Sequence, residues 1–318
     1  MAMMTTCLIT GGAGNLACQL SWLLASSYDR ILLADVATQP VGTTAPSAVF
    51  ERVDLTDRTQ MEAIFVKYKP VAVVHLASLL SGSCEANRQQ AWQVNMNASF
   101  SLFELGLRHG CPKILFTSSV ATYGGDLPPV LANDTPQWPG SLYGVTKVAV
   151  ERLGNYYRVA HGMDFRCLRL PITISRNAPP GAASAFASHS FIAAVTSGKF
   201  VFRVAPQIKL AMIYVRDALL ACTSLLGADP ARVKQPAYNV GAMTATPQQI
   251  SQVIQSRLPH VQLRFEEDEK MTRLVAGWPG EIDDGAARND WGWSPAFDLE
   301  RTADHFLAEL QPERDHIR

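Results

Sequence analysis

The stretch CLITGGAGNLACQLSWLL, beginning at Cys7, narrows the possible folds more than any other part of the chain. Four residues suited to a strand run into Gly11, Gly12 and Gly14, and apolar positions at helical spacing follow at once. Glycines let the backbone turn tightly enough for a helix to begin where a strand ends. The alternation then recurs. RILLAD, VFERVD, VAVVHLA and KILFTSS each lie about a helix apart, and linking segments such as DRTQMEAIFVKY carry apolar residues at a spacing near 3.6. Repeated βαβ units require a parallel sheet covered by helices on both faces, with its ligand crevice beyond the carboxyl ends of the strands.

The expected fold class is therefore α/β, a Rossmann-type doubly wound parallel sheet with a smaller C-terminal substrate lobe. Past about residue 170 the pattern loses regularity and gains Pro and Gly. The expected division is residues 1–170, joined by about 208–235, as the doubly wound sheet domain, and 171–207 with 236–318 as the substrate lobe. A chain of 318 residues with 47% hydrophobic content can bury one large core or two lobes sharing a cleft. Lys plus Arg equals Asp plus Glu at 28 each, and no run of five like charges occurs. Neither nucleic acid nor membrane is expected as a partner, which leaves a small-molecule substrate. The six cysteines, Cys7, Cys18, Cys84, Cys111, Cys167 and Cys222, show no C-x-x-C spacing and read as buried thiols in a reducing compartment. No metal is expected. The start, MAMMTTCLITGG, has no basic n-region and too short an apolar run for a signal or a membrane span, so the expected location is cytoplasmic.

The glycine turn gives the first chemical expectation. A helix N-terminus behind Gly11 and Gly14 presents free N–H groups and a positive dipole end to a pyrophosphate. RILLAD ends in Asp35, about twenty residues further on, where a carboxylate bonds a ribose 2′-hydroxyl and repels a 2′-phosphate. No Arg follows it, so NAD is favoured over NADP. Ala17 stands at the third small position and still permits close helix packing. The second expectation comes from YGVTK, where Tyr143 and Lys147 lie four apart on one helix face. A phenol titrates near 10, so it needs a neighbouring cation, here Lys147 and also the positive nicotinamide, to act as a base near neutral pH. Ser119 ends a strand in KILFTSS and can hydrogen-bond the reacting oxygen.

Taken together, TGGAGNLA, Asp35, DLTD, HLAS, SSVATYG and YGVTK resemble the extended short-chain dehydrogenases/reductases, also called the NAD-dependent epimerase/dehydratase group, over nearly the whole chain. The resemblance implies Ser119, Tyr143 and Lys147 as the catalytic trio, with Lys147 also bonding the nicotinamide ribose. It places Asp54 and Leu55 near adenine, and His75, Leu76 and Ala77 along the cofactor, with His75 a strand-end residue rather than a base. Asn15, Leu16, Asn95 and Pro171 complete the implied cofactor set.

Where many sugar-nucleotide members of the group carry Asn after a strand, this chain has Pro171 and Ile172 in LRLPITISR. LASLLSGSCEANRQQAWQVNMNASF and RLVAGWPGEIDDGAARNDWGW look like short-chain L-threonine 3-dehydrogenases. In the second segment Asp283, Arg288, Trp291 and Trp293 are expected in capping or core roles, and the resemblance puts Trp278 near substrate. The loop PPGAASAFASH departs from the threonine-enzyme pattern, which resembles PPGGGTTDYAV: Ser184 keeps a hydroxyl, but Ala185 and Phe186 replace a threonine and an acid. An ammonium would lose its carboxylate there, leaving a buried charge uncompensated. RLPITISRNAPPGAASAFAS and YGGDLPPVLANDT look more like D-erythronate dehydrogenases, which makes Arg176 a candidate carboxylate clamp.

The expected function is an NAD-dependent dehydrogenase for the secondary alcohol of a small hydroxy acid or β-hydroxy amino acid. Its substrate contacts would be Ser81, Ser119, Tyr143, Arg176, Ser184 and Trp278. The alternatives are an NAD-dependent sugar or sugar-acid epimerase and a non-catalytic NAD sensor. The group commonly dimerises through two helices, here QQAWQVNMNASFSLFELGL and SLYGVTKVAVERLGNYYRV, so a homodimer is expected.

Overall fold

The computed structural model describes residues 4–178 and 182–311, so Pro179, Pro180 and Gly181 of the substrate loop lie outside the described residues. The chain divides into two compact units, the first formed by 1–122, 139–169 and 219–238, the second by 123–138, 170–218 and 239–318.

In the first unit β1 (Thr6–Thr10) leads through the glycine turn into α1 (Asn15–Leu24), followed by β2 (Arg30–Asp35), β3 (Ala48–Arg52), α2 (Arg58–Tyr68) and β4 (Ala72–His75). Next come the short helices α3 (Ser81–Ala86) and α4 (Arg88–Trp92), a π-turn over Gln93–Asn97, α5 (Ala98–Arg108), β5 (Lys113–Ser119) and the long α6 (Leu142–His161). Seven strands form the sheet in the order Tyr238–Asn239, Asp164–Leu170, β5, β4, β1, β2, β3. β1 pairs with β2 and β4, β2 with β3, and β4 with β5, all in parallel. The order reverses between β1 and β4, which makes a topological switch point at the carboxyl end of β1. Strands covered on both faces run largely apolar, and all five residues of β1 are buried, with Thr6 and Thr10 at its ends. Leu8, Leu32, Phe65, Val73, Phe103, Phe116 and Phe165 share one core beneath the helices.

The second unit holds a three-stranded sheet in which Leu210–Tyr214 runs parallel to Ile172–Ile174 and antiparallel to Met243–Ala245. Expectation and structure differ here, because 208–218 falls in the second unit. The strand's ladder bonds go to this sheet and not to the seven-stranded one. Residues 123–138 also belong to the second unit, where Val130–Leu131 pairs with Glu281–Ile282. Arg288 is gripped by Asp284 at 2.6 Å, and the Trp293 indole donates to the same carboxylate at 2.9 Å, so this tail is packing and capping.

Among the described residues no helix is long and apolar enough to cross a membrane, and no group of His, Cys, Asp or Glu could hold a metal ion. All six cysteines are buried and free.

Candidate active site

The glycine turn is built by close approach. Gly11 has φ 70°, and a Cβ there would lie 2.9 Å from the Ala77 nitrogen, while one on Gly12 would lie 2.5 Å from the Ala34 nitrogen. Any side chain at either position would push the turn away from the ends of β4 and β2. Gly14 stands at the N-cap of α1, where no side chain bonds the first amides, and the first turn of that helix has no acidic residue. Asp35 lies beside them: one oxygen accepts from the Ala13 N–H at 3.0 Å and the other from the Ala37 N–H at 3.0 Å. Each oxygen keeps a further lone pair. Open amides, room only for glycine and a carboxylate at the next strand end fit a pyrophosphate joined to a ribose diol.

The remaining expected cofactor residues divide into surface and interior. Asn15, Leu16, Asp54, Leu55, Leu76 and Ala77 are half-buried, with Asp54 folded onto the Thr56 amide at 2.8 Å and Leu55 against the core. Pro171, in the second unit, is buried. His75 is fully buried, with Nδ1 2.7 Å from the Thr10 hydroxyl and Nε2 2.8 Å from the Ser99 hydroxyl. Ser99 donates its own proton to the Asn95 carbonyl at 2.6 Å, so Ser99 accepts from His75 and Nε2 carries the imidazole proton. Burial first, and the Lys147 charge second, pull His75 down to about 3, so the ring is neutral. Asn95 sits in the π-turn, where its side chain accepts from the Leu79 N–H at 2.8 Å and donates to the Leu79 carbonyl and the Thr146 hydroxyl, each at 3.1 Å. Thr146 then donates to the Tyr143 carbonyl at 2.8 Å. A continuous polar chain therefore runs from the glycine turn to the helix that carries Tyr143.

α6 brings Tyr143 and Lys147 to the end of β5. The Ser141 hydroxyl caps the helix by accepting from the Gly144 N–H at 3.2 Å. Gly144 lets the first turn press against the chain: a Cβ there would lie 2.1 Å from the Ala121 carbonyl oxygen. Lys147 is buried and donates to the Thr117 carbonyl at 2.8 Å, with its ammonium 4.5 Å from the Phe116 ring centre and 5.5 Å from that of Tyr143. Burial pulls Lys147 down to about 8, against the opposing pull of nearby carboxylate and thiol groups. The Ser119 hydroxyl accepts from the Ala121 N–H at 3.1 Å and lies near enough to Tyr143 to act against the rise of its phenol.

Lys147 is expected to act on the phenol together with a positive nicotinamide, and burial works against both. Burial pushes Tyr143 up to about 12, and the opposing contribution comes from Ser119.

Sequence reasoning missed Glu151 and Arg169, which form a buried ion pair at 2.8 Å beside this cluster. Glu151 follows Tyr143 and Lys147 at the same four-residue interval, the one signal available; a strand arginine gives none. Of the expected substrate contacts, Ser81 is exposed at the start of α3. In the second unit Arg176 is exposed and Ser184 and Trp278 are half-buried. Ala185 and Phe186 are buried there, Phe186 with its ring 6.3 Å from that of Phe202.

The sequence profile of the NAD dependent epimerase/dehydratase family matches residues 7–241. The mitochondrial L-threonine 3-dehydrogenase of Sus scrofa is 33% identical over 299 residues, covering 92% of this chain and 79% of that protein. The crystal structure of an L-threonine dehydrogenase from Clostridium difficile superposes with a TM-score of 0.91 at 29% identity, over 98% of each chain. A monomeric L-threonine 3-dehydrogenase from a metagenome gives 0.88 at 29% identity, covering 96% of this chain and 99% of that one.

Proposed function

Because this chain belongs to the NAD dependent epimerase/dehydratase family, and is accordingly an NAD-dependent oxidoreductase acting on a CH–OH group, we propose that it oxidises the secondary alcohol of a small hydroxy acid or β-hydroxy amino acid. The observation that supports this best is the meeting of Tyr143, Ser119 and Lys147 at the carboxyl end of β5, in the same unit as the glycine turn.

In this reading Gly11, Gly14, Asn15 and Leu16 hold the pyrophosphate, Asp35 the adenosine ribose, and Asp54 and Leu55 border adenine. His75, Leu76, Ala77, Asn95 and Pro171 line the remaining length, His75 and Asn95 by shaping the backbone around it. Bound NAD supplies the hydride acceptor and a positive ring. Tyr143 takes the proton from the substrate hydroxyl, Ser119 orients that oxygen, and Lys147 bonds the nicotinamide ribose and favours the phenolate. The second unit serves as the substrate lobe. Ser81, Ser184 and Trp278 contact the substrate and Arg176 clamps its carboxylate. Ala185 and Phe186, facing their own core, offer an ammonium no counter-charge, which favours a hydroxy acid over threonine. The protein acts as a homodimer in the cytoplasm.

The test is a screen of reduced-cofactor formation over L-threonine, 3-hydroxy acids and four-carbon aldonates. Stoichiometric NADH with a hydroxy acid is the expected result. Product without net NADH would replace oxidation by epimerisation, and a response to threonine alone would refute the reading of the loop. Tyr143→Phe should lower turnover by about 10²- to 10⁴-fold, the usual worth of a general base, with NAD affinity preserved. Full turnover in that variant would remove Tyr143 from the chemistry.

A further inference from the structure

Glu151 and Arg169 are both buried, and neither belongs to the proposed cofactor or substrate set. The Arg169 guanidinium grips the carboxylate with Nε at 3.1 and 3.0 Å from its two oxygens and an Nη at 2.8 Å. A buried pair of this kind is a poor source of stability, because the desolvation of two ions offsets most of their attraction. Its geometry is more informative.

Glu151 lies one turn beyond Lys147 on the same face of α6, as Lys147 lies one turn beyond Tyr143. The same carboxylate accepts a 2.5 Å hydrogen bond from the Ser118 hydroxyl. Ser118 stands between the residue whose carbonyl receives the Lys147 ammonium and the residue whose hydroxyl meets Tyr143. Two neighbouring residues of β5 are thus tied to one face of the helix bearing the phenol and the amine, Thr117 through Lys147 and Ser118 through Glu151, with Ser119 next along the strand. Arg169, at the end of the neighbouring strand Asp164–Leu170, supplies the compensating charge and braces the carboxylate from the sheet side. Glu151 is also the carboxylate whose charge works against the loss of the Lys147 proton.

We propose that Glu151, braced by Arg169 and bonded to Ser118, is a positioning residue for the oxidation: it sets the register between β5 and α6 on which the Ser119, Tyr143 and Lys147 geometry depends. This rests on the reading of those three residues as the catalytic trio. Displacement of a positioned group by about an ångström can cost up to about a hundredfold in rate without weakening ground-state binding. The effect therefore belongs in kcat and not in KM or cofactor affinity.

The experiment compares wild type, Glu151→Gln, Ser118→Ala and Tyr143→Phe on whichever substrate the screen identifies. Turnover is expressed per NADH-binding molecule, and KM and the NADH dissociation constant are measured alongside. Glu151→Gln should lower kcat per binding-competent molecule by about tenfold or more, with KM and cofactor affinity within about threefold of wild type. A role in folding alone would lower the number of binding-competent molecules and leave the kcat of each unchanged, so a kcat within about threefold of wild type overturns the proposal. If Glu151→Gln fails to fold, Ser118→Ala, which removes one hydrogen bond and no charge, is read by the same threshold. Tyr143→Phe separates the two readings: undiminished turnover there refutes the trio itself, whereas an inactive Tyr143→Phe beside an unaffected Glu151→Gln refutes only the positioning role.

Discussion

A neutral imidazole sealed inside a sheet is a pH-dependent component of stability. The folded-state value of His75 is about 3 against an ordinary 6.5, so between those limits the unfolded chain binds a proton that the folded chain excludes. Stability from this residue is complete above about pH 6.5 and is lost as pH falls toward 3, by about 1.4 kcal/mol per pH unit. Urea unfolding at about pH 7 and about pH 4.5 should show wild type losing roughly 2–3 kcal/mol more than His75→Gln, a difference in which the carboxylates common to both cancel. Equal losses would show that the ring is not held neutral. Asp35 carries a second prediction. Its carboxylate supports the Ala13 and Ala37 amides and, in the proposed reading, also holds the ribose, so Asp35→Ala should relax discrimination against NADP and also weaken NAD binding by about tenfold, as loss of charge-assisted hydrogen bonds implies. Calorimetric titration with both dinucleotides checks this; NAD affinity unchanged beside improved NADP binding would mean the amides do not need the carboxylate. Residue identities of this kind were legible in sequence because glycine, Asp, Tyr and Lys stand at diagnostic spacings. Glu151, Arg169, Ser99 and Thr146 were not, since nothing in a helix or strand pattern reveals that a polar side chain points inward to a partner far along the chain.

α6 acts as a single lever, seated at two glycines. Gly144 fits under the Ala121 carbonyl, and a Cβ on Gly154 would lie 2.2–2.4 Å from atoms of the Phe165 ring, on the strand Asp164–Leu170. The ring is fully buried and packed edge-on to Phe103 at 5.7 Å, so it has no free direction in which to move. Gly154→Ala should therefore destabilise the protein by roughly 1–3 kcal/mol despite alanine's better helix propensity, measured as a shift in the urea midpoint. A stabilised variant would mean that α6 can slide on the sheet without cost. The same lever explains which elements were legible in sequence. Strands buried on both faces, helices of apolar spacing and the glycine turn all express local rules. The segment QQAWQVNMNASFSLFELGL reads as one helix, and the chain is helical without interruption from Arg88 to Arg108, widened to a π-turn at Gln93–Asn97. The widened π-turn directs Asn95 toward the backbone of Leu79, a tertiary requirement that overrides the helical period.

At the scale of the molecule, the alternating pattern was enough to give a doubly wound parallel sheet with its crevice beyond the carboxyl ends of the strands, because βαβ crossovers have one favoured hand. The assignment of Leu210–Tyr214 to a separate sheet was not legible, since a fully buried strand looks the same whichever sheet receives it. A surface feature of the first unit carries the remaining prediction. Along α6, Val145, Tyr156 and Val159 are exposed at positions that fall on one stripe, Tyr156 at 55% and Val159 at 79%. Trp92 and Phe100 are exposed on the segment from α4 to α5, while the buried residues of the same helices face the sheet core. Packing on the sheet therefore accounts for the inner stripes and leaves the outer ones uncovered. Large aromatic and branched side chains clustered outward in this way mark an association surface. Light scattering after gel filtration should give a dimer, and Tyr156→Asp combined with Val159→Asp should give a folded monomer that still binds NAD. The metagenomic relative, a monomer at 29% identity, makes the opposite outcome concrete. If wild type elutes as a monomer at every concentration, the outer stripes are simply exposed surface, and the two-helix interface expected from the family resemblance does not form in this chain.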